Sequence, residues 1–412
     1  MIGAKMIPQA CFSDAQLSTE TLGRVMTPAL LIYPNIVDDN IVATLRLVNG
    51  QIDRWRPHVK TAKLEATMRQ FVARGIRQFK CATTLELLTA CEAGGRDLLM
   101  AYPSIGARAR RVREIASRYK EVRVSVVVEN AHEVEAWRGS RIDLFIDINP
   151  GMDRTGIDQW RTGEIVQLAR KIELQKLRFA GLHYYDGHLR HASMDERKVA
   201  AYAGYAQLLA LIEALHEAKV PVAEVVTSGT PTLPCALAFP GFKIAEIKHK
   251  VSAGTVVYND LTSLSQLPVE WGYKLAALVV TTVISHPAPG LITCDAGLKT
   301  VSVDRGFPNC AVLGFPELEP VAPSEEHLCI RVPRGTAIPE IGGVLYLAPR
   351  HVCTTVNNFD HALLVQDGRI LDVVPVSARG REAPLLKTRR YSSFTSRSKK
   401  RSALGRLPKG RL

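Results

Sequence analysis

Apolar positions fall into two textures along the chain. From about residue 29 to 260, short β-branched apolar runs alternate with stretches in which apolar residues recur three and four apart. The runs at 29–33, 55–60, 78–82, 97–102, 123–129, 143–149, 179–185 and 224–227 read as strands. Those at 37–49, 64–74, 85–94, 107–118, 131–138, 159–172 and 195–218 read as helices. In the last of these, Ala201, Tyr205, Leu208, Leu209, Ile212 and Leu215 recur at helical spacing, as a helix covering a sheet requires. Eight strands alternating with helices predict an α/β fold, a (β/α)8 TIM-like barrel. A doubly wound open sheet is the rival, but no GxGxxG follows the first strand.

Beyond about residue 265 the helical periodicity stops. Strand-like runs at 275–284, 291–294, 328–332, 344–348, 362–366 and 373–376 are broken by Gly, Pro and Asp, the texture of a C-terminal all-β domain. From Arg381 onward Ser, Arg and Lys dominate and apolar residues thin out, so 381–412 reads as a basic disordered tail. The expected organisation is an N-terminal extension (1–26), a barrel (27–265), a β domain (266–380) and the tail (381–412).

Composition changes this picture little. A chain of 412 residues, 46% hydrophobic and 23% charged, is ordinary for a globular protein and excludes disorder over most of its length. The formal net charge of +13 belongs mostly to the tail, where eleven Lys and Arg face one acidic residue, Glu382. That tail has no interleaved aromatics beyond Tyr391 and Phe394, so nucleic acid is not expected as a partner. No apolar run approaches the roughly 20 residues that cross a bilayer, and residues 1–9 lack the apolar core of a signal peptide. A cytoplasmic protein without a membrane partner is expected. Its eight cysteines, with no CxxC pair, then read as reduced thiols.

Chemistry-bearing residues gather at the predicted strand ends. Lys60 closes the run Trp55-Arg56-Pro57-His58-Val59-Lys60. At the C-terminal end of a barrel strand it points into the mouth where barrel active sites form, and a partly desolvated lysine there can bond an aldehyde. Thr227-Ser228-Gly229-Thr230 offers hydroxyls and free N–H groups that suit a phosphate, although an ordinary βα turn looks the same. Arg154 sits on a loop bounded by Gly151 and Gly156, and the run from Gly181 to His188 carries Tyr185 among imidazoles. In the second domain, His351 and Cys353 share one face if that run is a strand, and so present an imidazole and a thiolate suited to zinc. Water and substrate oxygen would complete so small a ligand set. Asp295-Ala296-Gly297, Glu326-His327 and Gly254-Thr255 are further polar runs.

Together these runs resemble the fold-type III pyridoxal-phosphate enzymes, and within them the D-threonine aldolase and D-serine dehydratase family, which shares its barrel with alanine racemase. The resemblance spans 27–380. It rests on Arg-Pro-His-Val-Lys ending at Lys60, Gly-Met-Asp-Arg-Thr-Gly ending at Gly156, Tyr185-Asp186-Gly187-His188, Thr227-Ser228-Gly229-Thr230, Asp295-Ala296-Gly297, Glu326-His327 and His351-Val352-Cys353, in that order. It implies that Lys60, not Lys63, is the Schiff-base lysine, that Arg154 approaches the phenolic oxygen of the cofactor ring, and that Tyr185 lies against the ring. It assigns the phosphate of pyridoxal 5'-phosphate to Ser228, Gly229, Thr230, Gly254 and Thr255, and catalytic duty to Lys60, His58 and Tyr185. A divalent metal, zinc first and manganese or magnesium otherwise, would sit on His351 and Cys353. Ala62 stands where the family usually has His.

Racemases of this fold lack the His-x-Cys pair, aldolases of the family tend to carry His-x-Asp, and D-serine dehydratases His-x-Cys. The resemblance therefore implies elimination from a D-3-hydroxy amino acid, giving a 2-oxo acid and ammonia. Retro-aldol cleavage to glycine and an aldehyde is the alternative, and racemisation the third. A pyridoxal-phosphate carrier is the non-enzymatic reading, against which the β domain argues. A homodimer is also implied. All of this requires Lys60 and the His351–Cys353 pair to open onto one cavity.

Overall fold

The computed structural model describes residues 16–191, 193–244, 247–321 and 323–385. The strand expected to open the barrel does not belong to it. Strand β1 (Ala29–Ile32) pairs antiparallel with β10 (Ala277–Ala288) and parallel with β16 (His361–Gln366), inside the second domain's sheet. Leu30, Leu31 and Ile32 are all buried. A run that is apolar on both faces reads equally well as a barrel strand or as a central strand of another sheet, because it shows no alternation.

The barrel strands are β2 (Gln78–Cys81), β3 (Asp97–Met100), β4 (Arg123–Val128), β5 (Asp143–Asn149), β7 (Phe179–Tyr184), β8 (Glu224–Thr227) and β9 (Lys248–Val251), all parallel and in chain order. The short β6 (Ile157–Asp158) adds to the end of β5. The segment around Pro57 closes the ring. Trp55 bridges to Val251 and His58 to Lys80, both parallel, while Val59 N–H donates to the Lys80 carbonyl at 2.9 Å. Pro57 has no N–H to give, so this eighth stave is an interrupted ladder rather than the regular strand expected over 55–60.

Inside the barrel, alternate residues point inward. Leu99, Val127, Phe145, Ala180 and Val226 form a separate apolar cluster from five strands. Polar positions lie on both sides of that layer: Asp97, Arg123 and Glu224 at the N-terminal ends of their strands, and Asp147 and His183 toward the C-terminal ends. The outward positions pack on the helices. In the helix Met194–Glu217, Ala201, Tyr205, Leu208, Ile212 and Leu215 are buried as the spacing predicted, whereas Leu209 is half-buried. Helix starts use one device twice. The Thr83 Oγ1 accepts from Glu86 N–H while the Glu86 carboxylate accepts from Ala82 N–H. Asn130 and Glu133 repeat the pattern.

The second sheet has nine strands: β1, β10, β11 (Leu291–Cys294), β12 (Cys310–Val312), β13 (Glu319–Pro320), β14 (Leu328–Arg331), β15 (Val344–Pro349), β16 and β17 (Arg369–Pro375). Asp295 belongs to its framework, accepting hydrogen bonds from Thr27, Thr281 and the backbone of Thr282. Most of the expected basic tail lies outside the described residues, as does Cys11. Its first residues do not: the Glu382 carboxylate is gripped by the Arg111 guanidinium at 2.6–3.1 Å, against the barrel helices. Among the described residues no helix is long and apolar enough to cross a membrane, and seven cysteines are free thiols.

Candidate active site

A cavity of about 190 Å³ opens at the C-terminal ends of the barrel strands, between the barrel and the β domain. His58, Lys60, Arg154, Tyr185, Gly229, Thr230, Gly254, Thr255, His351 and Cys353 all line it. Ser228 does not reach the surface of the cavity; it is fully buried. Glu326 and His327 lie elsewhere, with Glu326 in an exposed ion pair to Lys299.

Tyr185 is the hub. The Lys60 Nζ lies 5.7 Å from its ring centroid, the Arg154 guanidinium 5.1 Å and the Lys80 Nζ 5.3 Å. Three cations around one ring attract the ring's negative face and repel one another, so a planar anionic group fits beside it. Lys80 is a residue that the strand-end motifs did not single out. It is buried on β2, 3.5 Å from His183 Nε2, and the His183 Nδ1 lies 2.7 Å from Asp147. Burial, then the charge of Lys60, pushes Lys80 down to about 7. Burial followed by the charges of Lys60 and Lys80 likewise holds His58 far below the ordinary range, so its imidazole is neutral.

The hydroxyl-rich turn after β8 is held from below by Asp186, whose carboxylate accepts from Gly229 N–H, Thr232 and Tyr205. Ser228 takes a left-handed φ of +65°, and its buried Oγ has no partner. Gly254 passes so close to the His58 carbonyl that a Cβ would sit 2.3 Å from it. An orphaned hydroxyl buried beneath a Gly-Thr turn that lines the cavity, with cations gathered around Tyr185, fits the phosphate and aldehyde of the implied cofactor. Lys63 does not line the cavity: its Nζ donates to the carbonyls of Lys60 and Cys353.

His351 and Cys353 come together, but not by the expected strand geometry. β15 ends at Pro349, and His351 becomes the N-terminal flank of a short helix, Val352–Val356, with Cys353 in its first turn. Asp260 causes the turn. One of its oxygens accepts from Val352 N–H at 2.9 Å and the other caps the helix Leu261–Gln266 through Ser263 N–H at 2.7 Å. The Cys353 Sγ lies 3.0 Å from the Thr61 Oγ1, one residue from Lys60. The His351 Nδ1 lies 2.6 Å from Asp304, which leaves Nε2 for another partner. Burial opposes ionisation of both groups. The hydrogen bond and opposite charge of each on the other outweigh it, lowering the Cys353 thiol and raising the His351 imidazole. One imidazole and one thiolate suit a borderline-soft ion. Among the described residues no third His, Cys, Asp or Glu joins them in a metal-holding group, so an ion there would keep open positions.

The alanine racemase N-terminal domain family matches residues 35–259, and the putative serine dehydratase domain matches 276–365. The chain is 29% identical over 375 residues to D-threonine aldolase from Arthrobacter sp, covering 88% of this chain and 94% of that protein. It is 26% identical over 376 residues to D-threo-3-hydroxyaspartate dehydratase from Delftia sp. (strain HT23), covering 85% and 97%. In structure it resembles D-threonine aldolase from Filomicrobium marinum, with a TM-score of 0.78, 25% identity, and 86% and 96% of the two chains covered.

Proposed function

Because this chain belongs to the alanine racemase N-terminal domain family of fold-type III pyridoxal-phosphate enzymes, we propose that it is a metal-assisted lyase of D-3-hydroxy amino acids, and that it eliminates water from D-serine or a D-3-hydroxyaspartate. The observation that carries this reading is that Lys60 and the His351–Cys353 pair, 291 residues apart in sequence, line one small cavity.

Pyridoxal phosphate, when bound, supplies an electron sink for a bond broken at the substrate Cα. Lys60 would hold it covalently, with Ser228, Gly229, Thr230, Gly254 and Thr255 around its phosphate and Arg154 and Tyr185 beside its ring. A divalent ion on His351 and Cys353 would supply Lewis acidity for a departing β-hydroxyl. Arg190 and Arg305 line the same cavity and are close enough for Arg190 to feel the charge of Arg305; a substrate carboxylate between them relieves that repulsion. In this reading the Lys60 Nζ takes the Cα proton. The neutral His58 beside it accepts the Lys60 backbone N–H at Nδ1 and so fixes the backbone that carries the amine.

Retro-aldol cleavage is the second reading, favoured by the similarity to proteins named D-threonine aldolase. Incubating the cofactor-loaded protein with D-serine, D-threonine and D-3-hydroxyaspartate, with and without a chelator, separates the two. Chelator-sensitive ammonia release is expected. Aldehyde without ammonia would replace elimination by cleavage, and neither product from any substrate would overturn the lyase reading.

A further inference from the structure

The barrel's other end holds a larger cavity that this chemistry does not use. It measures about 870 Å³ and is bounded by the N-terminal residues of β2, β3, β4, β8 and β9. Among the described residues, seven cationic side chains face it against three carboxylates. The charges form two tiers.

On the floor the carboxylates are saturated. Asp97 and Glu224 are bonded by the buried Arg56 at 2.7 and 2.8 Å, Glu224 again by Lys250 at 2.9 Å, and Asp97 also lies 3.3 Å from Arg123. On the rim, among the described residues, Arg54, Arg77, Arg96, Lys243 and Lys248 have no ion-pair partner and Asp53 is the one carboxylate. Between the tiers lies His249. Its ring is 4% exposed and stacks on Phe242 with centroids 3.9 Å apart. Its Nε2 is 2.8 Å from the Thr227 Oγ1, and its Nδ1 has no partner.

Cations gathered round a concavity repel one another unless a ligand neutralises them. The chain's own C-terminal segment has the wrong sign for that, with eleven Lys and Arg against one acid. The volume falls in the range of small-molecule sites. We propose that this basal bowl binds a polyanion of nucleotide size, its charge carried on phosphates or on several carboxylates, with Arg54, Arg77 and Lys248 gripping it at the rim and His249 Nδ1 meeting it below. The apolar layer of Leu99, Val127, Phe145, Ala180 and Val226 lies between this bowl and the Lys60 cavity, so the inference does not depend on the lyase reading.

Calorimetric titration of the cofactor-loaded protein with ATP, inorganic triphosphate and citrate tests it, loading being used so that the upper phosphate cradle is already filled. Saturable one-to-one binding of at least one anion is expected, and the tightest identifies the charge carrier. The double variant Arg77→Gln, Lys248→Gln should weaken that binding by about tenfold or more, with cofactor absorbance and melting temperature unchanged, because both side chains are exposed. Arg54→Glu should weaken it independently. Absence of saturable binding by all three anions overturns the proposal, and so does unaltered affinity in both variants.

Discussion

Each mouth of the barrel buries a lysine, and the two lysines are treated in opposite ways. At the N-terminal mouth Lys250 bonds Glu224 at 2.9 Å and Gln78 at 2.5 Å, with Asp97 at 3.7 Å. At the C-terminal mouth the hydrogen-bond partner of Lys80 among the described residues is a histidine nitrogen at 3.5 Å; Lys60 and Arg154 add like charge, and the nearby Asp147 and Asp186 offset it without an ion pair. One mouth saturates its buried cations with carboxylates; the other leaves them wanting an anion beside Tyr185. The difference teaches where chemistry is possible. Polar residues reach both ends of any barrel by alternation alone, but a reactive site needs charges left uncompensated for a ligand, and here it also needs His351 and Cys353 from another domain.

The strongest way to break this comparison is at Lys60. Lys60→Ala should abolish the covalently held, yellow cofactor and lower turnover by at least about a thousandfold. Borohydride labelling of Lys63 would transfer the role. A second test asks whether Lys80 is truly uncompensated. Below about pH 7 the native and unfolded lysine are both charged and the burial cost is felt in full. Above it the native amine is neutral while the unfolded one keeps its proton to about 10.4, so stability rises with pH through that window. Lys80→Met should therefore stabilise most below pH 7, and its advantage in urea unfolding should shrink by about 2–3 kcal/mol by pH 9, at about 1.4 kcal/mol per unit. A pH-independent difference would mean that Lys80 titrates like a solvated lysine.

Asp304 sharpens the contribution of the second domain. Asp304→Asn should weaken metal affinity by about 10–100-fold while leaving cofactor absorbance intact, since it removes the group that orients His351. Metal content after dialysis against a buffered chelator reads this directly. The smallest effect belongs to the barrel's outer surface. Arg111 and Glu382 are 26% and 22% exposed, so Glu382→Gln should cost about 0.5–1 kcal/mol in thermal unfolding. A larger loss would give the residues after Gly380 a structural role that the sequence pattern denies them.

Six of the barrel's eight staves are legible in the sequence as short, mostly apolar runs flanked by turns, and a seventh, around Pro57, by its position but not as the regular strand expected. β9 is absent from the expected strands, since Lys248-His249-Lys250 reads as polar surface, whereas the fold buries His249 and Lys250 and leaves Lys248 exposed. β1 reads as a barrel strand for the opposite reason: an unbroken apolar run carries no information about its sheet. The rim motifs were legible because each lies within a few consecutive residues. Lys80, Asp304 and Asp260 were not, because they meet their partners across 103, 47 and 92 residues. Strand spacing puts His351 and Cys353 on one face, yet a helix start capped by Asp260 is what joins the pair to the barrel.

The placement of β1 has a consequence for synthesis. The barrel is an insertion within the second sheet, so Leu30 must wait for Ala362 to complete its ladder. At the usual pace of translation that interval is roughly 15 to 70 s. During it, Ala-Leu-Leu-Ile leaves the ribosome with neither neighbouring strand available, a sticky segment in need of cover. The barrel's residues emerge first, but the His351–Cys353 side of the cavity waits for the second domain, so a translation product cut short before His351 lacks that half of the site.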